Sequence, residues 1–158
     1  MIGVVDRAFV FEIQDGEDPE GKTYWGRWGL MTSPKTGSKL KPRYYALRML
    51  DRLSDLRLQT TGNGSWVKAM SALNLNGNVE IVMANFDRYG RHAEFVPVTF
   101  SNIEPGTYTL TKEFLNGQRQ TEQIATTEAV LQARVNMPAN SVAFLELVRQ
   151  TPLNNLIQ

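Results

Sequence analysis

The 158-residue chain contains no cysteine and one histidine, His92. The first absence excludes disulfides, thiol nucleophiles and thiolate metal sites. The second excludes any metal site built on several histidines. Neither fixes the compartment. Charge of one sign is also missing: 17 Lys and Arg face 16 Asp and Glu, a formal charge of +1. A general electrostatic binder of nucleic acid needs a basic field that this balance does not supply. No apolar run approaches the ~18 residues of a membrane span. The stretch MIGVVDRAFVFEI carries Asp6 and Arg7 where a signal peptide needs its apolar segment, so a soluble chain without membrane contact is expected. The chemical inventory that remains is carboxylates, hydroxyls and aromatics. Against these absences, 42% hydrophobic and 21% charged residues are ordinary for a globular protein. Length favours one domain with at most a small appendage.

The chain divides near residue 57. Arg7–Ile13 (RAFVFEI) is a short apolar run without clean alternation, which predicts a strand buried on both faces. A long loop comes next, QDGEDPEGKTYWGRWGLMTSPKTGSKLK. Its aromatics argue against disorder, and a loop of this length in a compact domain is usually functional. Pro42 then suits the first turn of a helix, where its missing N–H is not needed. Ala46, Met49, Leu50 and Leu53 recur at helical spacing, which predicts a helix from Pro42 to Ser54 or Asp55 with that face packed on the β region after it.

From Arg57 onward the pattern is strands punctuated by turns. Turn signals fall at Gly62-Asn63-Gly64, Asn76-Gly77, Tyr89-Gly90, Pro105-Gly106, Asn116-Gly117 and Pro138-Ala139-Asn140. The predicted strands are Trp66–Leu73, Val79–Asn85, Ala93–Phe100, Gly106–Leu115, Ala129–Val135 and Ser141–Leu147. Tyr108, Leu110 and Phe114 share parity. Val142, Phe144 and Glu146 oppose Ala143, Leu145 and Leu147. Pro97 confines its strand to an edge or a bulge. Asn76-Gly77 is the clearest hairpin. The expected fold is mainly β: an antiparallel sandwich of seven or eight strands over 57–150, preceded by a strand–loop–helix unit over 1–56 and ending in a tail, 151–158.

A doubly buried strand has no partner in the all-β remainder. The segments VFEIQDGEDPEG, YWGRWGLMTS and KPRYYALRML resemble the last βα unit of a (β/α)8 glycoside hydrolase of clan A, nearest the β-xylosidase and α-iduronidase group. The matching residues are Phe11-Glu12, Asp15-Gly16, Asp18-Pro19, Trp28-Gly29-Leu30 and Lys41-Pro42-Arg43-Tyr44-Tyr45-Ala46-Leu47. The later β region is similar to the sandwich that packs beside such barrels. The resemblance implies that 1–56 is the end of a barrel. The family's two catalytic glutamates lie on its fourth and seventh strands, so both would precede Met1. Retaining hydrolysis needs two carboxyls about 5 Å apart. The resemblance therefore implies a non-catalytic C-terminal portion of a glycosidase, inactive alone, with no catalytic residue, no metal and no cofactor. Its partners would be carbohydrate and the missing barrel portion. Two other classes stay open: a stand-alone carbohydrate-binding module, and an interaction protein that self-associates through the orphan strand 7–13.

Four side chains are candidate substrate contacts: Glu12, at the strand end where barrels place their sites, and Tyr24, Trp25 and Trp28, whose flat faces suit sugar rings. Each has a plainer role. Glu12 can bond nearby backbone or Arg27, and the aromatics can anchor the loop, a role that fits Trp28 better than Trp25. Asp15, Glu17, Asp18 and Glu20 lack the spacing of a calcium loop, and turn chemistry accounts for Asp-Gly and Asp-Pro. Trp66 reads as sandwich core. His92 reads as part of a solvated basic turn with Arg88 and Arg91, and no serine forms a triad with it.

Overall fold

A computed structural model describes residues 9–16, 20, 27–62 and 66–150. The chain divides into two compact units that part between Asp51 and Arg52.

The second unit is built from eight strands: β1 (Leu56–Leu58), β2 (Val67–Leu73), β3 (Val79–Asn85), β4 (Glu94–Ser101), β5 (Gly106–Phe114), β6 (Arg119–Thr126), β7 (Val130–Met137) and β8 (Ser141–Arg149). Six of them form an antiparallel sheet in the order β1-β2-β3-β8-β5-β6, and β4 pairs with β7 in a second sheet. The two sheets close on one core, so the mainly β antiparallel sandwich expected from the sequence is present. Strand period 2 explains which residues enter it. On β5, Tyr108, Leu110 and Phe114 are buried, as their shared parity predicts. On β8 the core side is Ala143, Leu145 and Leu147, and on β7 it is Leu131, Ala133, Val135 and Met137. Each fully buried leucine contributes about 1.5–3 kcal/mol relative to exposure.

The opposite face of the large sheet is also partly covered. Val82 and Phe144 are directly opposed in the β3–β8 register and both are buried. The Arg52 guanidinium lies 4.1 Å from the centre of the Phe144 ring and pairs with Glu113 at 2.8 Å. Buried Glu80 accepts from the Ser54 N–H at 2.9 Å and from Asn74 Nδ2 at 3.1 Å.

The turns obey their residues. Asn74 Oδ1 accepts from the N–H groups of Asn76 and Asn78, and Gly77 takes the positive φ of 78° that closes the β2–β3 hairpin. The Tyr108 hydroxyl donates back to the Glu104 carbonyl at 2.6 Å, fixing the corner that leads into β5. Pro97 sits on β4, whose sheet has two strands and therefore a free edge on each.

Two strands carry no sequence signal. β6 (RQTEQIAT) is polar and mostly exposed with no apolar alternation, and β1 (LRL) alternates over three exposed residues, too few to mark a strand. Both are edge strands, held mainly by main-chain pairing, with Ile124 of β6 packed against the core.

In the first unit, α1 spans Pro42–Asp51. It ends three or four residues before the predicted stop, leaving Leu53 buried beyond its end. Met49 is buried, whereas Leu50, on the predicted apolar face, is exposed. The expected strand over 7–13 differs more. Residues 7 and 8 lie outside the described residues, and Phe9–Ile13 carry no strand ladder. A strand exists through its partners, and among the described residues the main chain of this run bonds only to the Leu30–Met31 backbone. Leu30 N–H donates to the Glu12 carbonyl and Met31 N–H to the Ile13 carbonyl, each at 3.0 Å, and Gln14 and Met31 form one parallel bridge. Phe9, Phe11 and Ile13 are accordingly 91%, 73% and 70% exposed, not buried on both faces.

Candidate functional site

The loop after Phe9–Ile13 is pinned at Asp15. Its Oδ1 accepts from the Gly29 N–H at 2.9 Å and pairs with the Lys41 ammonium. The hydrogen bond from Lys41, reinforced by the Gly29 N–H, holds the Asp15 carboxyl below the usual carboxylate range. Lys41 also donates to the Arg27 carbonyl at 3.2 Å, and Arg43 donates to the Trp28 carbonyl. Residue 29 must be glycine. A Cβ there would lie 2.3 Å from the Asp15 nitrogen and 2.7 Å from the Met31 carbonyl oxygen. The Lys-Pro-x-Tyr-Tyr segment thus starts α1 and also ties the loop's two ends together.

The structure places two of the four candidate substrate contacts. Glu12 is half-buried, and its Oε1 accepts from the Gly16 N–H at 3.3 Å, which is the plainer of its two expected roles. Trp28 is exposed, with its ring centre 6.4 Å from that of Phe11. Phe11 and Trp28 therefore form a pair of exposed rings, and the Glu12 carboxylate is turned to the Gly16 N–H. Tyr24 and Trp25 lie outside the described residues, as do Glu17 and Asp18. Among the described residues no three His, Asp or Glu side chains gather in a way that holds a metal.

A second polar cluster is only partly expected from the sequence. Asp87 is fully buried in the turn after β3. Its carboxylate accepts from the N–H groups of Tyr89 (2.9 Å), Arg91 (2.6 Å) and His92 (3.0 Å), and it meets His92 Nδ1 at 2.7 Å. The Tyr89 N–H, then the other donors, hold its pKa well below the ordinary range. The His92 ring stacks on Trp66, centres 4.4 Å apart and planes 17° apart. His92 is therefore fixed at one nitrogen and one face rather than simply solvated. Trp66 is a correction: it precedes β2 and is 38% exposed, covering His92 instead of filling the core. Its aromatic type at the strand entry suggests core, but it shares parity with exposed Lys68 rather than with buried Val67. A signal for Asp87 does exist, since Asp at the first and Gly at the fourth place of a turn (Asp87, Gly90) is a type I pattern. Gly90 N–H indeed donates to the Asp87 carbonyl at 2.9 Å.

With this geometry set out, the fold can be compared with known ones. No protein-family model and no curated protein matches the chain. Solved structures do. The GH39 enzyme from Xanthomonas axonopodis pv. citri is similar over 82% of this chain and 34% of its own, with a TM-score of 0.59 and 15% identity. A glucosidase from Croceicoccus marinus is similar over 81% and 35%, with a TM-score of 0.60 and 11% identity. A glycoside hydrolase family 30 subfamily 8 xylanase from Clostridium acetobutylicum is similar over 77% and 31%, with a TM-score of 0.56 and 18% identity. The fold is thus shared with part of glycoside hydrolases. The chain spans about a third of the length of the structures it resembles. Among the described residues no helix is long and apolar enough to cross a membrane.

Proposed function

We propose that the chain is a non-catalytic C-terminal portion of a glycoside hydrolase. In this reading the sandwich buttresses a (β/α)8 barrel, and the loop over 15–31 forms one wall of its substrate cleft. The observation that carries the reading is the state of Phe9–Ile13. Three large apolar side chains stand in water on a segment with no strand ladder, whose main chain is hydrogen-bonded to Leu30 and Met31. Apolar side chains in such a row are the inward and outward faces of a barrel strand once neighbours are supplied. The likeness of about four-fifths of the chain to about a third of three glycoside hydrolases supports the same reading. Glu12 and Trp28, together with Tyr24 and Trp25, would then face the cleft, with Glu12 orienting the loop through Gly16 and Trp28 offering a ring to sugar.

The reading makes a plain demand on activity. Incubated with chromogenic aryl β-xylosides and β-glucosides, the chain is expected to release no aglycone above the buffer rate. Turnover by the purified chain, lost on Glu12→Gln, would contradict the non-catalytic assignment.

A further inference from the structure

The two-stranded sheet does not cover all of the six-stranded one, and the mismatch leaves a groove. A cavity of about 470 Å³ lies between β4–β7 and the β5–β6 margin. This is within the range of about 300–1,000 Å³ that takes small-molecule ligands. Its upper wall is made by two cross-strand pairs, Pro97 with Arg134 and Thr99 with Gln132. An adjoining hollow of about 260 Å³ shares Pro97 and Arg134 and continues to Phe95.

The floor holds a charge that a sandwich core does not require. Lys112 lies on β5 at the parity of Leu110 and Phe114, and it is 8% exposed. Its ammonium donates to the Arg134 carbonyl at 2.8 Å and pairs with Glu122 at 2.6 Å. Burial of an ammonium is costly unless it is paired, and this one is paired at the groove wall. An ammonium has three donors. Two are used, so one remains for a molecule in the groove. Lys112 and Glu122 cancel in charge. Arg134 is exposed and makes no side-chain hydrogen bond or ion pair among the described residues, so the groove has one net positive charge, carried on a fork suited to carboxylates.

We propose that this groove binds a short acidic oligosaccharide, one that carries a uronic acid. The carboxylate pairs with Arg134, ring hydroxyls meet Thr99, Gln132 and the free Lys112 donor, and the C–H face of the sugar lies on Pro97 and Phe95. One unpaired cation takes one carboxylate of the oligosaccharide, the others staying in solvent, and suits that single charge better than a phosphate dianion. The alternation of apolar rings with hydroxyl and amide groups matches a sugar better than a simple organic anion. The site lies wholly within the sandwich and shares no residue with the proposed barrel cleft. Its failure would leave the non-catalytic reading untouched, because that reading is tested by aryl glycoside turnover.

The test is calorimetric titration of the full chain with trigalacturonate, with xylotriose as the neutral sugar and citrate as the anion that is not a sugar. Trigalacturonate is expected to bind with a dissociation constant on the order of 1 mM and to weaken with added salt. Arg134→Gln is expected to weaken it about tenfold, the effect of one charge-assisted hydrogen bond. Gln132→Ala is expected to weaken it less, and Trp28→Ala to leave it unchanged. Both groove variants change exposed side chains, so folding is not at stake. No saturation at ten times that concentration would overturn the proposal. So would equal binding of citrate, equal binding of xylotriose, indifference to Arg134→Gln, or loss of binding in Trp28→Ala.

Discussion

The sandwich and the segment that precedes it are made of similar residues and hold them in opposite ways. On β8, Ala143, Leu145 and Leu147 are buried, and their register partners on β3 and β5 are hydrogen-bonded strands. In Phe9–Ile13 an equally apolar run is exposed, and its main chain meets two residues of a loop. Apolar content therefore does not decide burial. The availability of a second layer does. The sandwich brings both of its layers, whereas the first unit is held around Asp15, Gly29 and Lys41 by polar ties and leaves Phe9, Phe11 and Ile13 exposed.

The contrast is broken most strongly at the shared core. Leu145→Ala is expected to cost about 2–5 kcal/mol, because the residue is fully buried between well-packed strands. Urea unfolding measures it, and a loss no larger than that of a surface variant would deny the sandwich its role as the stable body. Next comes Gly29→Ala. The added Cβ overlaps the Asp15 and Met31 backbone, and a cost of about 3 kcal/mol is expected in the first unit. The melting temperature of the sandwich should stay where it is. A joint loss would show that the two regions unfold as one.

Acid provides a third probe. The native pKa of Asp87 is lowered, so its stabilisation is complete above the ordinary carboxylate range and is lost as pH falls below about 4. Asp87→Asn is expected to melt several degrees lower at neutral pH, with the gap narrowing as pH is lowered through that window. A gap independent of pH would mean that the charge of Asp87 contributes nothing. The smallest effect is expected where apolar residues have no cover. Replacing Phe9, Phe11 and Ile13 together by serine should change stability by within about 0.5 kcal/mol. It should also reduce binding of an apolar dye such as anilinonaphthalene sulfonate. A large destabilisation would show that these side chains are packed after all.

Legibility in the sequence divides along the same line. Strands that bury one side betray themselves by parity, as Tyr108, Leu110 and Phe114 do, and turns betray themselves by Asn-Gly pairs. β6 leaves no trace because its pairing is through main chain, which composition does not record. The run at Phe9–Ile13 has the composition of a buried strand, but burial depends on neighbours that a local pattern does not contain. The Asp15–Lys41 tie spans 26 residues, a separation at which spacing carries no signal. Glu12 and Trp28 can be singled out by type and position, and the approach of Trp28 to Phe11 emerges only from the fold. Lys112 is hidden by its alternation with core residues, since nothing in parity distinguishes a buried leucine from a buried ammonium.

Amide hydrogen exchange across the full chain tests the central contrast most directly. Amides of β3, β5 and β8 are expected to exchange only by global unfolding, while those of Leu30, Met31 and Lys41, hydrogen-bonded as they are, exchange through much cheaper local openings. Equal protection in the two regions would contradict the account, because it would mean that the first unit needs no further layer to be stable.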